Sequence, residues 1–390
     1  MHESPVLETV WDARLAELAD RGLYRTLRRV ESGQGPTFRL DGHEVINFGS
    51  NDYLTLAADS RVVEAAGRAI LTYGWGAGAS RLVSGTHVAH AQLEERLAAF
   101  CRTERALVFG SGYLANLAAI GAAAGKGDVV FSDQRNHASI VDAVRLSGAR
   151  AVVYPHRDYD ALEDLLGEDD GEGRKTIVTD ALFSVDGCFA DLRRLVALRE
   201  RYGALLCIDE AHALGVYGES GRGVAELQQV EAGIDIRVAT LSKAIGGVGG
   251  VVCGSRALIE LLINTARPFI FSTAPPPAAC VAAVAALDII ESDEGRARRE
   301  KLLTTARNLR RELRQRHNLA TTDSQIIPLI VGDPALAVDL STRLLEHGIF
   351  VPAFRPPSVP EGTSRLRISL TSEHQSAHVD ALLEAIDKLV

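Results

Sequence analysis

Between residues 87 and 253, short apolar runs alternate with longer stretches of helical periodicity, and no other feature limits the possible folds of this chain as much. Strands are predicted at 106–109, 129–132, 151–154, 176–179, 205–208, 237–241 and 250–253, with helices over 87–100, 115–123 and 138–146. Strands separated by helices pair in parallel, because the crossover helix returns the chain to the same end of the sheet. The expectation is an α/β fold with a mostly parallel seven-stranded sheet, in which ligands bind beyond the strand ends.

The flanking segments follow other patterns. Val10, Leu15, Leu18, Leu23 and Leu27 recur at roughly helical spacing and predict a helix over 7–29. Asp41-Gly42 is a hairpin turn signal between apolar runs at 38–40 and 45–48, and a helix is expected at 61–71. The glycine loop 73–81 follows a helix and no helix opens at its last glycine, so it is not a dinucleotide fingerprint. After Pro275-Pro276-Pro277 come helices through 290 and over 294–316, then strand, helix, strand, strand and helix at 326–331, 335–347, 350–352, 366–370 and 378–389. This order divides the chain into an N-terminal helix-and-hairpin arm (1–50), a large domain (51–280) and a smaller C-terminal α+β domain (281–390).

Charge and cysteine usage narrow the function classes. A net charge of −9 argues against nucleic acid as a partner. The five cysteines are scattered without a CxxC pair, so neither a zinc site nor a disulfide framework is indicated, and a reducing, cytoplasmic compartment is expected. The first 20 residues are acidic and amphipathic and do not read as a signal peptide, and the apolar run 280–290 is too short to cross a membrane.

Polar residues at the ends of apolar strands carry the chemistry, since each must find a partner if it is buried. Lys243 sits between the strand ending at Leu241 and glycines at 246, 247, 249 and 250, where it is either a solvated charge or an amine able to form a Schiff base. Gly110-Ser111-Gly112-Tyr113 enters a helix with free backbone N–H groups suited to a phosphate. His137 opens another helix, and Ser184 follows a further strand. Asp209 ends a wholly apolar strand, with His212 three residues on. A metal on Asp209 and His212 lacks a third ligand. Pyridoxal phosphate asks for a lysine on its aldehyde, a carboxylate on its ring nitrogen, an imidazole or aromatic ring over its face and a phosphate cradle, and the chain supplies each.

The motifs Ser50-Asn51-Asp52-Tyr53-Leu54, Asn136-His137-Ala138-Ser139, Asp209-Glu210-Ala211-His212 and Thr240-Leu241-Ser242-Lys243 resemble those of the α-oxoamine synthases over nearly the whole chain. These are pyridoxal-phosphate enzymes of the aspartate-aminotransferase-like fold (fold type I). By that resemblance Lys243 holds the cofactor as a Schiff base and later acts as acid and base, Asp209 pairs with the pyridine nitrogen, His137 stacks on the ring, and His212 and Ser184 contact its hydroxyl side. Ser111, Gly112 and Tyr113 hold phosphate and ring, Thr240 joins the phosphate shell, and Ser272 with Thr273 reaches the phosphate of the neighbouring subunit in a homodimer with a shared active site.

On the substrate side the resemblance implies Arg367 for the amino-acid carboxylate, supported by Asn51; Arg365, on the same strand face, is otherwise a surface ion pair. Arg28 and Ser358 fall near the acyl-thioester channel, although Arg28 reads equally as a cation complementing a helix C-terminus. The segments Ser292-Asp293-Glu294-Gly295, Ile327-Pro328-Leu329 and Arg355-Pro356-Pro357-Ser358 are similar to the branch serving biotin biosynthesis, which implies L-alanine and a pimeloyl thioester of CoA or acyl carrier protein. Members using glycine share the cofactor residues, so those residues do not choose between the branches. Two departures stand out: Thr55 replaces a usual glycine, and Ala77 and Ala79 lie in the loop where glycine is common.

Overall fold

The computed structural model describes residues 5–317, 319 and 324–389; residues 1–4 of the arm and 390 of the tail lie outside them. Strands β1 (Thr37–Leu40) and β2 (His43–Asn47) form the predicted hairpin, and Asp41 and Gly42 both take the left-handed conformation that a two-residue turn requires. Seven strands then build the main sheet: β3 (Arg105–Phe109), β4 (Val129–Asp133), β5 (Arg150–Tyr154), β6 (Lys175–Asp180), β7 (Leu205–Asp209), β8 (Ile236–Thr240) and β9 (Gly250–Gly254). Their order is β3-β9-β8-β7-β6-β4-β5, parallel except for β9, which runs antiparallel to both neighbours.

Burial on both faces explains the near-continuous apolar runs. The period of two sends alternate residues into two separate cores: Phe131, Leu206, Ile208 and Val251 face one, and Val130, Cys207, Val238 and Val252 face the other. The helix Gly112–Ala123 lies in the second core, where Ala115, Ala118, Ala119 and Ala123 let it approach the sheet closely. Crossover helices at Tyr159–Glu168 and Leu192–Tyr202 complete the alternation, although the sequence reading did not place them.

The tail adds β10 (Ile326–Gly332), β11 (Ile349–Phe350), β12 (Ala353–Phe354) and β13 (Ser364–Ser369). β10, β13 and β12 form an antiparallel sheet, whereas β11 pairs in parallel with β2 and joins the tail to the arm. The single strand expected at 350–352 is therefore two short ones. Pro352 lies between them without an N–H for a ladder, and its carbonyl accepts from Arg367 N instead.

The N-terminal helix is shorter than its periodicity suggests. It spans Pro5–Asp20 and ends where Gly22 turns left-handed, with Leu23 N donating to Leu18 O. Arg28 is thus not a helix-terminal charge. Leu23 is buried and Leu27 fully exposed, so their spacing follows no helix face.

Thr55, one of the two departures, adopts φ 55. A β-branched residue in that region is strained by about 1–3 kcal/mol. It persists because its neighbours fix the turn: the Asp52 carboxylate accepts from Leu56 N and Ala57 N at 2.9 and 3.0 Å, and Arg298 donates to Leu54 O at 2.8 Å. Ala77 and Ala79 keep negative φ while Gly78 supplies the left-handed bend, so the second departure costs the loop nothing. Thr55→Gly is expected to raise unfolding stability by about 1 kcal/mol, the relieved strain exceeding the added chain entropy, as read from denaturation midpoints.

Candidate active site

Parallel pairing brings the last residues of several strands to one edge. Asp180 ends β6 and Asp209 ends β7, directly opposite each other in register, while Thr240 ends β8 opposite Gly250. The glycine loop after β8 turns Lys243 back toward these ends. Asp209, 5% exposed, accepts from Ala211 N on Oδ1 and from the Asn116 amide on Oδ2, both at 2.7 Å. Asp180 accepts from His137 N at 2.7 Å, and burial together with the charge of Asp209 raises its pKa well above the carboxylate range. Of the two acids, Asp209 has the donors suited to an ionised group.

The Lys243 amine forms no hydrogen bond or ion pair among the described residues, while its backbone carbonyl accepts from Gly246 N at 2.8 Å. Burial pushes its amine down to about 8, outweighing the pull of Asp209 and Asp180, and Arg367 adds to the depression. Near neutrality a substantial share of this amine is therefore unprotonated and nucleophilic. This rules out the solvated-charge reading of Lys243.

Two histidines flank the amine. His137 caps the helix Ala138–Ser147, with Nδ1 receiving Ser139 N at 3.2 Å and lying 2.7 Å from Ser139 Oγ. Desolvation lowers its pKa; Asp209 opposes that effect and Lys243 adds to it. His212 is buried, 2.6 Å from the Tyr53 hydroxyl through Nδ1, and burial followed by the charges of Lys243 and Arg367 pushes its pKa well below the usual value. Both rings are therefore neutral at physiological pH.

Arg367 projects from β13 into the same region. Its guanidinium donates to Ser184 O at 3.1 Å and to Asn51 Oδ1 at 2.8 Å, lies 4.5 Å over the Phe354 ring, and leaves Nε without a partner. Burial lowers its pKa, and no carboxylate among the described residues pairs with it. Such a cation is incomplete until an anion arrives. Arg365, two residues earlier, is also buried, but it ends in an ion pair with Asp186 at 2.6 Å. It is thus neither a surface pair nor free for substrate.

The expected cradle lies across the site from β13. Ser111 Oγ caps the helix Gly112–Ala123 through Leu114 N at 3.2 Å, leaving the N–H groups of the first turn for an anion. A Cβ at Gly250 would sit 2.4 Å from Ser111 O, so that glycine is required for close backbone approach, whereas one at Gly112 would sit 3.3 Å from Thr240 Cβ, a tight contact with a side chain. Tyr113, in the same turn, is partly exposed and its hydroxyl donates to Asp142.

Not every expected residue joins this cluster. Ser272 and Thr273 make no hydrogen bond to it within one chain; Thr273 instead bridges Ser80 in the glycine loop. Arg28 is exposed on a segment that reaches the tail through Arg25, whose guanidinium donates to Pro356 O at 3.1 Å. Ser358 follows on that loop and lines a cleft of about 400 Å³ with Asn136, Ser184, Asp186 and Arg365. Asn116, Ser139, Tyr53 and Asp180 received no role from the sequence. Asn116 carried a usable signal, because an amide in the otherwise apolar helix Gly112–Ala123 demands a buried partner.

With this geometry in place, the comparisons with known proteins acquire a physical meaning. The pattern of the aminotransferase class I and II family matches residues 43–386. The chain belongs to that family. It is 50% identical to the 8-amino-7-oxononanoate synthase of Geobacter sulfurreducens over 96% of each chain. Among solved structures, the serine palmitoyltransferase of S. paucimobilis with a bound PLP–myriocin aldimine has a TM-score of 0.92 at 32% identity, covering 100% of this chain and 98% of that one. The 8-amino-7-oxononanoate synthase of Francisella tularensis has a TM-score of 0.76 at 32% identity, covering 88% and 97%. Pyridoxal phosphate is the cofactor of this family. The residues here fit it: a depressed lysine, a buried carboxylate with donors on both oxygens, neutral imidazoles and a glycine-cleared helix N-terminus lie at one sheet edge.

In the apoprotein, reductive alkylation of Lys243 by a small aldehyde is expected to rise with pH and reach half its maximum at about 8, below the ordinary value of about 10.4 for a lysine in water. Peptide mass spectrometry across pH 6–11 (roughly the span of both groups) would measure it. A profile identical to that of the surface lysines would contradict the assigned environment.

Proposed function

We propose that the protein catalyses the decarboxylative condensation of L-alanine with a pimeloyl thioester, of CoA or acyl carrier protein, to give 8-amino-7-oxononanoate for biotin synthesis. The observation that carries the chemistry is the buried, uncompensated Arg367 within Coulombic range of the depressed Lys243. The full-length 50% identity to the Geobacter synthase supports the choice of substrates.

Each residue has a task that follows from its surroundings. Arg367 receives the alanine carboxylate and Asn51 orients its guanidinium. The Lys243 amine, half of it unprotonated near pH 8, removes and returns a proton at Cα. Pyridoxal phosphate, when bound, supplies the aldehyde that takes the amino group and a ring over which negative charge at Cα is spread. Asp209 would pair with the ring nitrogen, its two oxygens held in place by the Asn116 amide and Ala211 N. His137 would cover the ring face, and His212 and Ser184 would hold its hydroxyl side.

The thioester approaches between the arm and the tail, where Arg28 and Ser358 lie on segments that hydrogen-bond through Arg25 and Pro356. Exposed Val10, Trp11, Leu15 and Leu18 on the N-terminal helix support a homodimer, in which Ser272 and Thr273 serve the partner's phosphate. No helix among the described residues is long and apolar enough to cross a membrane, which accords with a cytoplasmic enzyme.

The test is CoA release from L-alanine, glycine and L-serine across short and long acyl thioesters. L-alanine with a pimeloyl thioester is expected to give the highest kcat/KM; preference for glycine with a short acyl group would assign the chain to a glycine-using branch. In the same assay, Arg367→Lys is expected to raise KM for the amino acid by about 10- to 100-fold, equivalent to ~1.5–3 kcal/mol of charged hydrogen bonding. KM for the thioester should change little.

A further inference from the structure

Asn116 lies beneath the site and touches neither Lys243 nor Arg367. Its side chain, 2% exposed, sends one amide hydrogen to Asp209 Oδ2 at 2.7 Å and the other to Ser139 Oγ at 2.9 Å. The amide orientation follows from chemistry: turned over, its oxygen would face the Asp209 carboxylate, acceptor against acceptor. The amide oxygen is left without a partner, so the buried group is arranged for its two donors alone.

The consequence passes through Ser139, which is 1% exposed. Its hydroxyl oxygen already accepts from Asn116, so its hydrogen turns to the one acceptor in reach, His137 Nδ1 at 2.7 Å. Ser139 N points at the same nitrogen from 3.2 Å. With two donors on Nδ1, the ring proton belongs on Nε2. We propose that Asn116 is a positioning residue that, through Ser139, fixes His137 as the Nε2–H tautomer and ties its orientation to the Asp209 carboxylate.

One amide thereby coordinates two groups on different elements, the carboxylate at the end of β7 and the imidazole at the start of the helix Ala138–Ser147. Without Asn116 the Ser139 hydroxyl is free to rotate away from Nδ1 or to accept from it, which leaves only the longer contact from Ser139 N, at 3.2 Å, to disfavour a proton on Nδ1, and the tautomer preference weakens. His137 would present a donor or an acceptor at Nε2 from one moment to the next. The proposal rests on the assignment of Asp209 and His137 to the cofactor, but it is independent of which amino acid and thioester react.

The test reads the ring directly. In apoprotein labelled with 15N-histidine, the long-range 1H–15N spectrum at pH 7.5 (about one unit above the usual imidazole pKa) should show His137 with a bare Nδ1 and a protonated Nε2, the signal being assigned by its loss in His137→Gln. Asn116→Ala should convert it to a mixture of tautomers. In the loaded enzyme the same variant should lower kcat by about tenfold while KM for the amino acid stays within about twofold. A protonated Nδ1 in the wild-type protein overturns the proposal. So does an Asn116→Ala protein that keeps the wild-type ring signal, and the wild-type measurement stands even if that variant fails to fold.

Discussion

The site depends on the desolvation of one amine. An ammonium in water is inert toward carbonyls, and the sheet edge removes enough water from Lys243 to bring its pKa to about 8 without a carboxylate in bonding contact. That balance needs negative charge nearby but not touching. Asp209 supplies most of it while occupied by its own donors, and Asp180, whose own pKa burial raises, adds a smaller pull. If both acids were ionised and free, the lysine would be held as a cation. The opposing environments of two carboxylates that face each other across the sheet keep the amine usable.

Arg367 shows the same physics with the opposite sign. A guanidinium cannot lose its proton to escape burial, so its unmet need for an anion persists as affinity for a carboxylate. Arg365 shows what neutralisation would do, since its pairing with Asp186 leaves nothing for a ligand. Two arginines on one strand face thus differ in function because one acid lies beside one of them.

The sheet was legible in the sequence because all its strands except the exposed edge strand β5 are buried on both faces, and its polar ends stood out against apolar runs such as Leu205–Asp209. Lys243, Asp209, His137 and Ser111 were legible for that reason. The positions that escaped were those whose meaning depends on a partner distant in sequence. Asn116 is 93 residues from Asp209 and Tyr53 is 159 from His212, so no local pattern signals either contact. The overlong N-terminal helix came from the opposite error: Leu23 and Leu27 kept the period, but Gly22 had already turned the chain. Roles at Ser272 and Thr273 are illegible in a single chain by nature, because their expected partner is another copy.

The pairing of β11 with β2 has a consequence for biosynthesis. Strand β2 has no partner on one side until residues 349–350 are made, about three hundred residues after it. Ser369 N closes on Phe48 O later still, beside Asn51 and Arg367. The phosphate cradle, Asp209 and Lys243 come from a continuous stretch that leaves the ribosome first and has its own sheet. A growing chain therefore brings together the residues proposed for the cofactor before those proposed for the substrate, and the long loop closure that joins arm to tail comes last.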